Sequence, residues 1–442
     1  MGREGTSLLR ARSDPGFYAA WMPFNPDVSY FGRTNARQPY RTFGIKQADR
    51  LFHQYVIGRT GAGKTTLLET MALQDVALGR GACIIDPHGD LAERLVAAVP
   101  RVRAEDLVYL NAPNMAQPYG YNPLRRVRKD RIPLAASGLM EAFKMLWGKD
   151  AWGVRMEHVL RNALYALIEY GEATLPDVLR IITDKAYRAS VLARTTNDQV
   201  RAFWRHEFHN YNPRYRQEAI APIQNKVGAF LADPRLYRTF TTAPIDLHFR
   251  KIMDERKVLI VNLARGKLGA DSATLLGALL ITTLSLVAFS RADVAESDRA
   301  DYFIFVDEFQ SFTTLSVATM ISELRKFRIG LVLANQHLAQ LEPDVRQAVL
   351  GNVGTLVSFR VGPDDARVLA KEFEPVFAPE DLVSLPNHNV YVKLTIDGAP
   401  STPFSATTIR SAEHEVRRAG LANKEIPCEC RVTCVCSLCE AK

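Results

Sequence analysis

The stretch "HQYVIGRTGAGKTTLLE", His53 to Glu69, constrains the fold more than any other part of the chain. An apolar run enters a glycine-rich turn, and the turn opens straight into a helical pattern. The turn reads Gly58-Arg59-Thr60-Gly61-Ala62-Gly63-Lys64-Thr65, with Thr66 behind it. Glycines at these intervals let backbone N–H groups point inward, and the helix that follows adds the positive end of its dipole. The stretch therefore predicts a cradle for a polyphosphate. A strand that delivers such a loop belongs to a parallel sheet covered by helices on both faces.

The remaining text agrees with an α/β chain. "QYVIG", "GACIID" and "DLVYLNA" read as strands, separated by the helical stretches "GKTTLLETMALQDVAL" and "DLAERLVAAV". A turn-rich segment, "QPYGYNPL", then ends at Leu124. From about Arg125 to Phe240 the periodicity is helical only, broken at Pro176, Pro213, Pro222 and Pro234. Strand-like runs return with "KVLIVNLARG", "YFIFVDEF", "IGLVLANQ", "TLVSFRVG" and "VYVKLTI". The expected organisation is an extended arm over 1–45, a core with a mostly parallel central sheet from 46–124 and 241–412, an all-α insertion domain over 125–240, and a flexible cysteine-rich tail over 413–442.

Length and composition set outer limits. A chain of 442 residues exceeds what one hydrophobic core usually organises, and 47% apolar with 24% charged residues is ordinary for a globular protein. No signal peptide is visible, and "MGREGT" fits the loose myristoylation pattern at Gly2 without support from Arg3 and Glu4. Ser272 to Ser290 carries no charge, but Thr, Ser and Gly interrupt it and it lies between two strand-like runs. It reads as a helix buried against the sheet, so no transmembrane segment is expected.

The net charge of +8 is concentrated. Residues 125–250 hold 21 Lys and Arg against 13 Asp and Glu, and the rest of the chain balances to zero. Such asymmetry suits a polyanionic partner, or a generally basic surface. "RAFWRHEFHNYNPRYR" interleaves cations with Trp204, Phe208, Tyr211 and Tyr215, a mixture that permits phosphate contacts with base stacking, or a solvated helix face over buried aromatics.

Three elements predict the chemistry of ATP with Mg²⁺. In the glycine-rich loop, Lys64 is placed to bridge the β- and γ-phosphates, the Thr65 hydroxyl to ligate Mg²⁺, and Thr66 to reach the α-phosphate. "FIFVDEFQ" ends an apolar strand in Asp307-Glu308, where Asp307 would hold Mg²⁺ and Glu308 would polarise the attacking water. "RIGLVLANQ" ends another in Gln336, an amide able to report the γ-phosphate. Cys83 sits in an apolar run and packs as a small hydrophobe. Cys428, Cys430, Cys434, Cys436 and Cys439 crowd the last residues, a set that could bind Zn²⁺ or form a redox-sensitive tail.

The combination "GRTGAGKTT", "IDPHGDL", "YNPL", "VDEFQ" and "LRKFRIGLVLANQ" resembles the HerA-FtsK superfamily of P-loop ATPases, and within it the soluble motor part of TraD/TraG-type conjugative coupling proteins of type IV secretion. The resemblance covers about Phe43 to Ile409. It implies a RecA-like core, a homohexamer with ATP at subunit interfaces, and a central pore that grips DNA, single- or double-stranded. It also implies that Arg325, eleven residues before Gln336, reaches the neighbour's γ-phosphate, with Arg360 as the competitor. The N-terminal membrane helices usual in such coupling proteins, and the barrel that precedes the motor in HerA-type helicases, are not evident. The expected reading is a cytoplasmic ATP-driven DNA translocase, recruited to the inner face of the membrane by relaxase or secretion-channel proteins. A type IV secretion ATPase driving protein or pilus export, a HerA-like DNA-processing helicase and a nucleotide-stabilised assembly platform are the alternatives.

Overall fold

The structure, a computed structural model, describes residues 25–36, 38–147, 152–313 and 315–409. Among the described residues fifteen strands are found in chain order: β1 (Val28–Thr34), β2 (Thr42–Lys46), β3 (Gln54–Ile57), β4 (Gly81–Asp86), β5 (Leu107–Asn111), β6 (Tyr119–Gly120), β7 (Ile245–Asp246), β8 (Val258–Asn262), β9 (Tyr302–Val306), β10 (Ile329–Asn335), β11 (Thr355–Ser358), β12 (Asn389–Lys393), β13 (Thr395–Ile396), β14 (Ala399–Pro400) and β15 (Phe404–Thr408). Eleven of them form one sheet in the order β2-β1-β15-β12-β11-β3-β10-β9-β4-β8-β5. From β11 to β5 all neighbours run parallel, and from β11 to β2 all run antiparallel.

Alternation along each parallel strand explains why its sequence is apolar throughout. Tyr55, Ile57, Cys83, Ile85, Ile304, Val306, Leu331 and Leu333 belong to one buried cluster, and Val56, Ala82, Ile84, Phe303, Phe305, Val332 and Ala334 to another. The second face is covered by α1 (Lys64–Ala77) and α2 (Asp90–Ala98), through Leu67, Leu68, Met71, Leu91 and Leu95.

Seven helices follow β6: α3 (Ile132–Trp147), α4 (Val154–Tyr170), α5 (Asp177–Thr183), α6 (Lys185–Arg194), α7 (Asp198–Ala202), α8 (Pro213–Leu231) and α9 (Pro234–Thr241). Their starts are written locally. Asp184, Asn197, Asn212 and Asp233 each accept backbone N–H bonds as N-caps, and Pro213 and Pro234 occupy the first helical turn, where a missing N–H costs nothing. The short parallel pair β6–β7 joins the two ends of this helical stretch. Next comes α10 (Ala270–Ser290), the apolar helix of the sequence. Among the described residues it is the one helix long and apolar enough to cross a membrane, and its Ile281 and Leu284 pack with Ile304, Val306, Leu331 and Leu333 of the sheet.

One sequence expectation needs correction, and one open reading is narrowed. The segment expected as an extended arm is, over Val28–Lys46, a pair of strands in the main sheet: β1 pairs with β15, more than 370 residues away in the chain, as Gly32 with Thr408. Its half-buried, glycine-containing run gains a partner only when the chain end returns, so the local pattern is weak. Of the two readings of the basic stretch, the structure agrees with the helix over buried aromatics for Trp204 and Phe208. Trp204 and Phe208 are 2% and 1% exposed, in edge-to-face contact with each other at 4.8 Å, and half-buried Tyr211 and Tyr215 continue the chain of tilted and edge-on ring contacts. Three of its arginines have partners nearby: Arg201 on Asp198, Arg214 on Glu218, and Arg216 on the carbonyls of Phe208 and His209.

One ion pair ties the sheet to the loop helix. Arg50 lies just before β3 with no exposed side chain, makes a two-pronged contact to Asp75 of α1 at 2.6 and 2.7 Å, and stacks 3.6 Å over the ring of Phe303. Arg80 reaches the same carboxylate at 3.0 Å. Asp75→Ala would leave the Arg50 charge buried without its counterion, so urea denaturation should show a loss of about 3–5 kcal/mol, partly recovered when Arg50 is also replaced by Met.

Candidate nucleotide-hydrolysis site

The loop between β3 and α1 is held from behind. The N–H of Gly58 bonds to Asn335 O, that of Arg59 to Arg360 O at 2.8 Å, and His388 N–H to Ala62 O at 2.8 Å. Gly61 and Gly63 adopt φ of 76° and 124°. At Gly63 a Cβ would stand 2.7 Å from His388 Nδ1 and 3.0 Å from the Phe359 ring, so both backbone conformation and space require glycine. Arg59, Thr60 and Gly61 are exposed, whereas Ala62 and Lys64 are buried. Lys64 Nζ donates to Gly58 O at 2.6 Å and Arg59 O at 3.3 Å. Burial lowers the Lys64 ammonium from its ordinary value, and the nearby Glu308 and Asp307 pull the other way. A phosphate entering the loop would meet an ammonium already enclosed by backbone.

Three adjacent strands bring the other groups to this loop. Parallel pairing aligns Asn335 with Ile57 and Leu333 with Val306, so Gln336, Gly58 and Asp307 leave β10, β3 and β9 at one edge of the sheet. Asp307 is 3% exposed and accepts from the Thr65 hydroxyl at 3.2 Å and from the Glu308 N–H at 3.0 Å. Its carboxyl is pushed above its ordinary value by burial first, then by Glu308 and Asp86, against Glu308 N–H and Lys64. Crowded carboxylates with too little positive charge, beside a hydroxyl, form a hard-oxygen set that fits a divalent cation such as Mg²⁺. No group of three or more His, Cys, Asp or Glu suited to a metal occurs among the described residues. That is compatible with Mg²⁺, which commonly takes one or two protein ligands beside phosphates and water.

A hydrogen-bonded chain runs through Glu308 and Gln336. Thr60 Oγ1 donates to Gln336 Oε1 at 2.8 Å, and Gln336 Nε2 donates to Glu308 Oε1 at 2.7 Å. Of the residues expected from sequence, Gly58 to Thr66, Asp307, Glu308 and Gln336 are thus gathered at one edge. Arg325 is not. It is exposed at the opposite end of β10, with its guanidinium 3.5 Å over the ring of Phe52. The length of β10 alone separates it from its own loop by about 20 Å. Arg360 lies on the loop side, and its Nη2 donates to Asn387 Oδ1 at 3.1 Å.

Sequence reasoning missed several residues here. Gln310 Nε2 donates to Glu308 Oε2 at 2.5 Å; it stands in "VDEFQ", two positions on, so proximity was a usable signal. Arg265, just after β8, is close enough to Glu308 to feel its charge, and burial lowers its guanidinium from the ordinary value. His388 seals the loop from the turn before β12, whose neighbour in space no local pattern reveals. The cysteine cluster, Gly2 and the rest of the first 24 residues lie outside the described residues.

The family model described as "Helicase HerA, central domain" matches residues 50–280. A comparison with curated proteins gave no match. Among solved structures, the unbound bacterial conjugative coupling protein TrwB, lacking its first 70 residues, is 17% identical and aligns over 83% of this chain and 86% of its own with a TM-score of 0.58. TrwB in complex with ADP and Mg²⁺ is 18% identical over 82% of this chain and 86% of its own, TM-score 0.58. VirB4 of Thermoanaerobacter pseudethanolicus is 14% identical over 82% and 90%, also with a TM-score of 0.58. At such identities the likeness speaks for the fold, a RecA-like core.

Gly63→Ala tests the loop geometry. The forced φ and the contact with His388 should weaken ATP binding by about tenfold or more, read by calorimetry, while the circular dichroism spectrum stays unchanged.

Proposed function

We propose that this chain, which belongs to the family of the HerA helicase central domain, is an ATPase that moves DNA in conjugative, type IV secretion-related transfer. The observation that carries the reading is the division of groups between the two ends of β10: Lys64, Thr65, Asp307, Glu308 and Gln336 meet at one end, and Arg325 is exposed at the other. An arginine on that end can serve only a nucleotide held by another copy. The reading is therefore a ring, taken as a hexamer, with ATP in the seams between copies.

Each residue has a task. The loop from Gly58 to Thr66 wraps the phosphates with backbone N–H groups, Lys64 exchanges its loop carbonyls for β- and γ-oxygens, and Thr66 is set to reach the α-phosphate. Thr65 and Asp307 would hold Mg²⁺, which when bound supplies neutralisation of phosphate charge. Glu308 orients water and takes its proton, and Gln336 moves its Nε2 donor from Glu308 to the γ-phosphate. Arg325 from the neighbouring copy stabilises the charge that develops during transfer.

In this reading residues 46–124 and 241–412 are the motor core and 125–240 an appended helical domain. DNA is gripped by the core in the pore, since Trp204 and Phe208 of the basic stretch are buried. The place of work is the cytoplasm, at the inner face of the membrane, with relaxase and secretion-channel proteins as partners. A second reading, an ATPase that drives export of protein or pilus subunits, is favoured by the equal structural likeness to VirB4.

ATPase rate measured with and without single- and double-stranded DNA, alongside the mass of the ATP-bound assembly, separates the two. Stimulation by DNA in an assembly of about six copies supports the motor; indifference to DNA in such an assembly supports export. Glu308→Gln should abolish turnover, by about 100-fold or more, and keep ATP binding. Robust hydrolysis by that variant would remove the catalytic assignment.

A further inference from the structure

Glu308 has φ 46° and ψ 48°, a left-handed backbone conformation that residues with a Cβ seldom adopt. The conformation turns its carboxylate back over the site, where both oxygens are occupied: Oε1 by Gln336 Nε2 at 2.7 Å and Oε2 by Gln310 Nε2 at 2.5 Å. The two amides are not equivalent. Gln336 is shared with Thr60 of the exposed phosphate loop, so an arriving phosphate competes for it. Gln310 is half-buried like Gln336, but its Oε1 atom is buried without a hydrogen-bond partner among the described residues.

Buried amides usually satisfy both ends. One that gives its donor to Glu308 and leaves its carbonyl unmatched is placed for Glu308. Reversing the amide would set its oxygen against the carboxylate. The turn that carries Gln310 is also fixed. Phe309 and Phe312 on either side are 1% and 0% exposed, and the Phe312 ring lies 2.3 Å from where a Cβ on Gly277 would stand. The Ser311 N–H closes on Glu308 O at 2.9 Å.

We propose that Gln310 is a positioning residue for the hydrolytic step, pinning Oε2 of Glu308 so that Oε1 alone changes partner, from Gln336 to the attacking water. This rests on the reading of Glu308 as the group that activates water. When Gln336 turns to the γ-phosphate, Oε1 accepts the water proton and the water oxygen bonds to the γ-phosphorus. The β–γ bridging oxygen then leaves on ADP with the electron pair of the broken bond. The other charges facing Glu308, from Lys64, Asp307 and Arg265, are common to both arrangements.

Steady-state kinetics of the full chain tests it. Gln310→Met keeps length and removes the donor together with the unmatched carbonyl. It should lower kcat by about tenfold, leave KM for ATP within about twofold and leave the melting temperature equal or higher. Gln310→His restores an N–H donor and should recover most of kcat. The inference is overturned if Gln310→Met turns over at the original rate, if KM and melting temperature change in step with kcat, or if Gln310→His is as slow as Gln310→Met. An active Glu308→Gln removes the reading beneath it. An inactive Glu308→Gln with an unimpaired Gln310→Met removes this inference alone.

Discussion

The parallel ladder β3-β10-β9 is the constraint on which everything at the site depends. Hydrogen bonding sets Asn335 beside Ile57 and Leu333 beside Val306, and this register alone decides that the phosphate loop, Gln336 and Asp307 emerge side by side. A shift by one residue would exchange the two buried faces of a strand, moving Leu331 and Leu333 to where Val332 and Ala334 pack. Burial on both faces therefore fixes the site to within hydrogen-bond distance, without any direct bond between the loops needing to do so.

That precision is used to hold charge in a place where water is scarce. Asp307 and Glu308 are 3% and 6% exposed and lie close together, with Asp86 behind them. Such a cluster is tolerable because donors converge on it: Thr65, the Glu308 N–H, Gln336 and Gln310. The arrangement has few degrees of freedom left, and those it keeps are on the exposed side, through Thr60 and Gln336. A site of this kind changes state by exchanging hydrogen bonds already present, which is how phosphate could be sensed without large movement.

The far end of the sheet serves a different purpose. Arg50 and Asp75 join the start of β3 to the helix that follows the loop, so the phosphate loop is spanned by a buried ion pair on one side and by its own backbone bonds on the other. The strands β1, β2, β12 and β15 then extend the sheet in the antiparallel sense and bring His388 against the loop from the chain's last described strands. An exposed Arg325 on Phe52 lies at the end of β10 opposite its own nucleotide site.

Much of this was legible in the chain itself. The glycine spacing from Gly58 to Gly63, the acid pair after an unbroken apolar run, and the amide ending "LVLANQ" each carry their meaning within ten residues, because phosphate cradling and strand ends are local matters. The breaks read at Pro213 and Pro234 fall at helix starts, whereas the helix Pro213–Leu231 runs on through Pro222. The β1–β15 pairing and the approach of Arg265 and His388 were not legible. Each is a contact between segments whose separation in sequence carries no periodic trace, or a choice of side-chain direction that local pattern leaves open. The sequence thus determined which chemistry the chain could carry. Only tertiary packing, through strand register and the left-handed turn at Glu308, decided which oxygen of that carboxylate faces Gln336 and which faces Gln310.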